Sequence, residues 1–460
     1  MKHRNIILAT ALIACLFPLR GIGGLHAQDT IRMTWTEEDA YMYSKSFKIK
    51  APLDEKFIVD YGDGDKDTLT GLGTGTYDWR VINHYYYGSQ EPHTIIVTNF
   101  TEDCKFYECA FVGCKLTDLS ISSLTLTYLY CSNIMLSTLN LNCPALNNLY
   151  CSENQLTTLD VSKNTELWVL DCFKNQLTIL DLSQNTKLVR LDCSDNLLTD
   201  LNISGCTEFD ILVCRNNRLT TLDLNNRLFL RHLNCSNNQL TVLTLSNNTK
   251  LKRIYCNDNQ LMGLDISNML ALEELICYNN QLSVLLLDDK TTLFFLDCSD
   301  NRLQLSDLYN VSKKISSPND RWFGTQKLLP QKIIVGDSVD FSAQSNFEGK
   351  KTVFSVKRND TLLYSTDYTI NTKFYSIRNG IITFKDTGTY KITMTNPAIV
   401  SHPNYPAEVI AEFHVVKNTI DDITEIIKIQ SYELRITNYE LRVTNYELQT
   451  LNIELFDVTG

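Results

Sequence analysis

The chain has 460 residues, of which 43% are hydrophobic and 21% charged, and a formal net charge of -11 at pH 7. That composition is globular, has room for several domains and excludes wholesale disorder. The acidic balance argues against nucleic acid and anionic membrane surfaces as partners, since both call for a basic domain or stripe.

The amino terminus, MKHRNIILATALIACLFPLRGIGGLHAQ, sets Lys2, His3 and Arg4 before an apolar run from Ile6 to Leu19. This is the pattern of a secretory signal over residues 1–27, with cleavage after Ala27. The LIAC stretch ending at Cys15 resembles a lipoprotein box, but LFPL follows where a polar tether belongs. No later segment is long and apolar enough to span a bilayer as a helix.

Residues 28–100 hold alternating segments that predict strands, among them FKIK, KFIVDYGDGDKDTLTG and HYYYGSQEPHTIIVTN. The phrase VDYGDGD, followed by HYYY and TIIV, resembles a polycystic-kidney-disease-type (PKD-like) β-sandwich. Asp60, Asp63, Asp65 and Asp67 alternate like calcium ligands, yet the glycine-and-glutamate pattern of a calcium loop is absent, so a tight turn with solvated aspartates is expected.

Residues 101–312 carry a repeat. Aligned on cysteine, the chain reads LYCSNIML, LYCSENQL, LDCFKNQL, LDCSDNLL, LVCRNNRL, LNCSNNQL, IYCNDNQL, LICYNNQL and LDCSDNRL. The aligned residues are Cys131, Cys151, Cys172, Cys193, Cys214, Cys235, Cys256, Cys277 and Cys298, separated by one step of 20 residues and otherwise by 21. An earlier unit fits if Phe111 takes the cysteine slot, with Cys109 two before it and Cys114 three after. Extended backward, as in LNNLYCSENQL, the unit is LxxLxLxxNxL with cysteine for the third leucine. It resembles a leucine-rich repeat.

In a short strand of period two, the second leucine and the cysteine point into a core while their neighbours face solvent. Asn154, Asn175, Asn196, Asn217, Asn238, Asn259, Asn280 and Asn301 each follow their cysteine by three, where the chain must leave the strand. An amide there can satisfy backbone groups, so the column resembles the family's asparagine ladder. The continuation LTxLDLSxNTxL has no room for a helix and predicts extended chain or one tight turn. One unit cannot bury its apolar face alone, whereas about ten stacked units form a continuous core, a solenoid roughly 50 Å long at ~4.8 Å per strand. The fold class expected is mainly β, a solenoid flanked by β-sandwich domains.

The chain after residue 27 holds 14 cysteines, in a compartment that permits disulfides. Stacked equivalent cysteines have parallel Cβ directions, which favours packed thiols over bridges. A column spreads sulfur along a line, where zinc needs convergence, and buried thiols are inert nucleophiles. The better bridge candidates are the off-column Cys104, Cys109, Cys114, Cys143 and Cys206, chiefly Cys104 with Cys109 or Cys114.

Residues 313–329, containing SSPND and Trp322, read as a polar linker. Strands return over 330–417, where DTGTYKI, with Asp386, Gly388 and Tyr390, resembles the tyrosine corner of an immunoglobulin-like sandwich with Ile392 in place of the disulfide cysteine. Residues 418–460 hold SYELRIT, NYELRVT and NYELQT, a seven-residue repeat whose odd period suits low-complexity sequence better than a long strand. The closing NIELFDVTG resembles the opening of the carboxy-terminal sorting domain of type IX secretion in Bacteroidota, and so implies that secretion machinery as a partner.

No hydrolase elbow, phosphate loop, paired-histidine motif or nucleotide fingerprint appears, so neither enzyme activity nor a cofactor is expected. Function is expected on the concave face, at the outward positions of the strands. The candidates are Tyr128, Tyr130, Tyr150, Asp171, Phe173, Arg190, Asp192, Arg215, His232, Arg253, Tyr255, Tyr278 and Phe295, rich in the tyrosine and arginine of binding hot spots. The sequence therefore predicts a secreted or cell-surface protein, periplasmic where the sorting signal fails, that recognises protein or glycan. A structural surface role without a specific ligand, or an accessory module of a glycan-processing system, remains the alternative.

Overall fold

A computed structural model describes residues 29–35, 45–84, 92–288, 290, 293–315, 317–366, 369–417, 434–437 and 440–443. The signal at 1–27, with Cys15, lies outside them. So does most of 418–460, where Leu434–Thr437 pairs antiparallel with Glu440–Val443.

One sheet of 13 strands runs through the chain. From Glu108–Phe111 through Tyr128–Tyr130, Asn148–Tyr150 and onward to Phe295–Asp297 and Arg321–Trp322, every pairing is parallel and steps by one repeat. The repeat strands are three residues long, with a buried middle residue such as Leu129, Leu191 or Ile254, and the cysteine that follows is buried as well. The mainly-β, leucine-rich-repeat solenoid is thus the fold, with cysteine filling the slot behind each strand.

How the chain leaves each strand follows from two adjacent residues. The residue two after the cysteine takes a left-handed conformation, with φ between 51° and 56° at Asn133, Glu153, Lys174, Asp195, Asn216, Asp258 and Asp300. Asparagine and aspartate tolerate that region best among residues with a side chain. The next residue is the ladder asparagine. Asn217 is typical: its Nδ2 donates to the carbonyls of Cys193 at 3.0 Å and Cys214 at 3.1 Å, and its Oδ1 accepts the Leu198 amide at 2.9 Å. Each ladder amide therefore satisfies backbone groups of two neighbouring coils that would otherwise be buried without partners.

The opposite wall is built by the second half of each repeat, in short strands and turns such as Ile179–Asp181 paired with Asp200–Asn202. It has a ladder of its own that the sequence reading missed. Asn164 donates to the Cys143 carbonyl at 2.7 Å, Asn185 to Val161 at 3.0 Å and Asn164 at 2.9 Å, and Asn248 to Leu224 at 3.2 Å and Arg227 at 3.0 Å. Cys143, Cys206 and Arg227 occupy slots of this column. Cys206 Sγ points at the carbonyls of Leu182 and Asn185, and Arg227 donates to that of Ile203.

The amino-terminal segment continues both walls. Lys45–Lys50 and Arg80–His84 extend the long sheet antiparallel beyond Glu108–Phe111. Thr30–Trp35, Thr94–Asn99, Lys56–Asp60 and Lys66–Thr70 extend the other wall beyond Leu116–Ser122. Phe111 fills the cysteine slot of the first coil and stacks on Phe47 at 5.8 Å. The expected tight turn is present: the Gly62 amide donates to Asp60 and the Asp65 amide to Asp63.

At the other end, residues 313–329 are more than a connector. After the helix Leu305–Ser312, Arg321–Trp322 pairs in parallel with Leu296–Asp297, which puts Phe323 in the cysteine slot and Gln326 in the asparagine slot. The buried Gln326 donates to the Cys298 carbonyl at 2.9 Å and accepts the Leu303 amide at 3.1 Å. Gly324, at φ +53°, lies where a Cβ would come within 2.5 Å of that of Ser299. The next strand, Thr325–Lys327, pairs with Glu408–Val416 of the carboxy-terminal sheets, so the solenoid runs into the 330–417 segment through backbone hydrogen bonds. There the Tyr390 hydroxyl donates back to the Asp386 carbonyl at 3.0 Å, the contact expected of a tyrosine corner.

All 14 described cysteines are free and buried. The candidate bridge of Cys104 with Cys109 or Cys114 is not formed, and each of the three thiols packs into the apolar core. Burial raises the Cys104 thiol to about 11 and Cys235 to about 12.

Candidate binding face

The outward positions of the long sheet bring the predicted residues onto one surface. Tyr128 and Tyr130 stand on one strand, Tyr150 on the next, Asp171 on the third, and Arg190 with Asp192 on the fourth. His232, Arg253 with Tyr255, and Phe295 follow on later strands, while Phe173, Arg215 and Tyr278 sit one residue beyond a cysteine at the strand exits.

The face divides into three zones. At the amino end the tyrosines cluster: Tyr128 and Tyr150 have ring centroids 5.4 Å apart, and Tyr130 and Tyr150 6.2 Å. Beside them Asp171 and Asp192 are register partners on adjacent strands. Burial first, and the Asp192 charge second, push Asp171 up to about 6, and its Oδ1 is buried without a hydrogen-bond partner. Asp192 is satisfied locally by the Ser194 amide at 3.1 Å.

In the middle zone the cations are engaged. Arg215 pairs with Asp195 at 3.4 Å and Arg253 with Glu274 at 3.5 Å, while the Tyr255 hydroxyl donates to Glu274 at 2.9 Å. Burial and the nearby Arg253 lower His232 below its usual range. Along the edge, Arg231 grips both oxygens of Asp210 at 2.5 and 2.6 Å, and Lys252 meets Glu273 at 2.8 Å. Each of these partners lies one repeat or nearly so along the chain, the distance at which residues meet across adjacent coils.

The carboxy-terminal zone contains residues the sequence reading missed. Phe295 packs edge-on to Trp322 at 5.2 Å, and Trp322 stacks on Tyr405 at 4.6 Å with 12° between the rings. The signal for Trp322 was available: RWFGTQKL aligns with LDCSDNRL once Phe323 and Gln326 are allowed in the cysteine and asparagine slots.

A recess of about 460 Å³ lies on the opposite wall against Thr30, Ser120 and Asn140, and another of about 400 Å³ at the junction with the 330–417 segment against Asn301, Lys327 and Ile410. Off the face, Asp63, Asp65 and His84 bring ligand-type atoms within 4.8 Å of one another, with His84 Nε2 2.7 Å from Asp63. No helix among the described residues is long and apolar enough to cross a membrane.

No family model matches the chain, and no curated protein matches it. Among solved structures it is similar to the functional domain of InlJ from Listeria monocytogenes, whose description includes a cysteine ladder, at 23% identity over 65% of this chain and 81% of that one, with a TM-score of 0.34. It is similar to YopM from Yersinia enterocolitica at 29% identity over 41% of each chain, with a TM-score of 0.38. It is also similar to YopM from Yersinia pestis, a leucine-rich effector protein, at 27% identity over 43% of this chain and 56% of that one, with a TM-score of 0.40. The chain thus spans about half the length of the YopM chains. The class of protein rests on the geometry above: a leucine-rich-repeat solenoid with a cysteine column.

Proposed function

We propose that this chain is an exported, non-catalytic recognition protein that binds a protein partner on the outward face of its long sheet. The observation that carries the reading is the continuity of that face. Tyrosines, arginines and carboxylates from successive coils share one surface, the kind of composition and extended array that serves macromolecular contact. In this reading the PKD-like segment 28–100 and the immunoglobulin-like segment 330–417 close the two ends of the solenoid. The signal at 1–27 and the sorting-like carboxy terminus direct export through the type IX machinery to the outer membrane or medium.

The test is capture of purified surface proteins by the chain, run beside a glycan array. The chain and a variant carrying Tyr128→Ala, Tyr130→Ala, Tyr150→Ala, Tyr255→Ala and Tyr278→Ala are compared. Protein binding that the substitutions abolish supports the reading. Binding that survives all five sinks it, and binding to glycans alone replaces protein with carbohydrate as the ligand.

A further inference from the structure

Each acid on the strands of the outward face has a partner, Asp171 through the Phe173 amide, but one of them also keeps an oxygen without one. Glu108 pairs with Lys50 at 3.0 Å, Asp192 accepts from the Ser194 amide, Glu274 accepts from Tyr255, and Asp297 accepts from the Ser299 amide at 3.1 Å. Asp171 keeps a buried Oδ1 without a hydrogen-bond partner. It lies between Tyr150 on one strand and Asp192 on the next, in register with both.

Tyr150 is the register neighbour of this carboxylate, the Tyr128 and Tyr130 rings lie 5.4 and 6.2 Å from that of Tyr150, and the three hydroxyls have no protein partner among the described residues. Tyrosine faces attract cations through the ring quadrupole, and a carboxylate beside them supplies the counter-charge. Adjacent strands are ~4.8 Å apart, so a planar cation resting on Tyr150 can reach the acid on the neighbouring strand. Arg190 is exposed nearby and makes no ion pair within 4 Å among the described residues, so its charge acts on Asp171 only at a distance. The net charge of -11 favours a cationic partner.

We propose that the tyrosine cluster of Tyr128, Tyr130 and Tyr150, with Asp171 and Asp192, is a subsite for a cationic side chain, arginine or lysine, presented by the protein partner. The proposal rests on the reading of the outward face as the recognition surface and names what its amino-terminal zone takes. Burial and the Asp192 charge hold Asp171 near a titration point of about 6, opposed by the Phe173 amide and then Arg190 and reinforced by Glu153. A cation must therefore bind more tightly as pH rises through that value, when Asp171 loses its proton.

The probes are short peptides, identical except for arginine, lysine or citrulline at two positions, together with an N-acetylglucosamine oligomer. The readout is the 19F spectrum of the full chain labelled with 3-fluorotyrosine, with the three resonances assigned by Tyr→Phe variants. The expected result is a shift of those resonances with the arginine or lysine peptide, at least about tenfold weaker with citrulline and in the Asp171→Asn, Asp192→Asn double variant. Thermal melting of that variant, unchanged or raised, shows that it folds. Equal shifts with arginine and citrulline peptides, shifts with the sugar alone, or an unaffected double variant each overturn the cation assignment. A captured partner that is lost in the tyrosine variant and kept by the double variant overturns the subsite and leaves the face standing. A partner kept by both overturns the two together.

Discussion

Gln326 stands to Cys298 as Asn301 stands to Cys277: its Nε2 donates to the cysteine carbonyl of the preceding coil at 2.9 Å, against 3.0 Å for the asparagine. A glutamine thus closes the ladder, one methylene longer than the residues it follows. With it the last coil ends against the carboxy-terminal sheets, since the neighbouring Thr325 pairs with Glu408.

Replacing Gln326 by alanine takes the side-chain partner from the Leu303 amide and the Phe323 carbonyl, while the Cys298 carbonyl keeps Asn301. The expected cost is about 2–4 kcal/mol, at about 1–3 kcal/mol for each stranded group that stays dry. Urea denaturation followed by tryptophan fluorescence checks it, because Trp322 sits in the affected coil. A loss below about 0.5 kcal/mol, within the ordinary range of surface changes, contradicts the ladder role.

At the strand exits the conformation is shared but the residues are not. Lys174 adopts φ 52° and Glu153 φ 54°, where most other coils have asparagine or aspartate. Lys174→Asn is expected to stabilise by roughly 0.5 kcal/mol, because left-handed backbone costs asparagine less. The lost ion pair with Glu153 at 3.5 Å is exposed and offsets little of this. Thermal melting of the single variant, with Asn216→Lys (φ 54°) as the reverse control, checks the direction.

Asp171 gives a pH signature. Its folded value of about 6 lies above the ordinary 3.8, so the folded chain binds the extra proton between those limits. Stability from this group is therefore present at low pH and falls as pH rises from about 4 to about 6. Asp171→Asn removes the dependence and is expected to raise the melting temperature at pH 7 by roughly 2 °C, an effect discounted for partial exposure. At pH 5 the difference should shrink.

The thiols make a fourth test. Burial holds Cys143 and Cys206 at about 12 and Cys235 at about 12, and the column thiols are raised for the same reason. The folded chain cut after Ala27 should show no fast-reacting thiol toward a disulfide reagent at pH 8, and 14 after unfolding in denaturant and reductant removal. Several fast thiols in the folded chain would contradict the packed column.

The solenoid was legible because its physics repeats: leucine, cysteine and asparagine recur wherever a coil needs a core filler or a backbone partner. The last coil was not, since phenylalanine and glutamine replace cysteine and asparagine and the helix Leu305–Ser312 lengthens the step to Phe323. The second ladder was hidden for a related reason. Asn164, Asn185 and Asn248 are interrupted by Cys206 and Arg227, which meet the same carbonyls with different groups. On the face, sequence register placed the side chains but not their pairings, so Arg215 and Arg253 looked free where Asp195 and Glu274 hold them.

The central claim is that recognition belongs to the outward face and not to the opposite wall. Its most direct measurement compares the partner's affinity for two folded variants by surface plasmon resonance. One carries Tyr128→Ala, Tyr130→Ala and Tyr150→Ala; the other carries Thr178→Arg, Thr199→Arg and Val242→Arg on the second wall. The account predicts a loss of at least about tenfold for the tyrosine variant, as hot-spot truncation produces, and a change of less than about twofold for the other. The reverse pattern would contradict it.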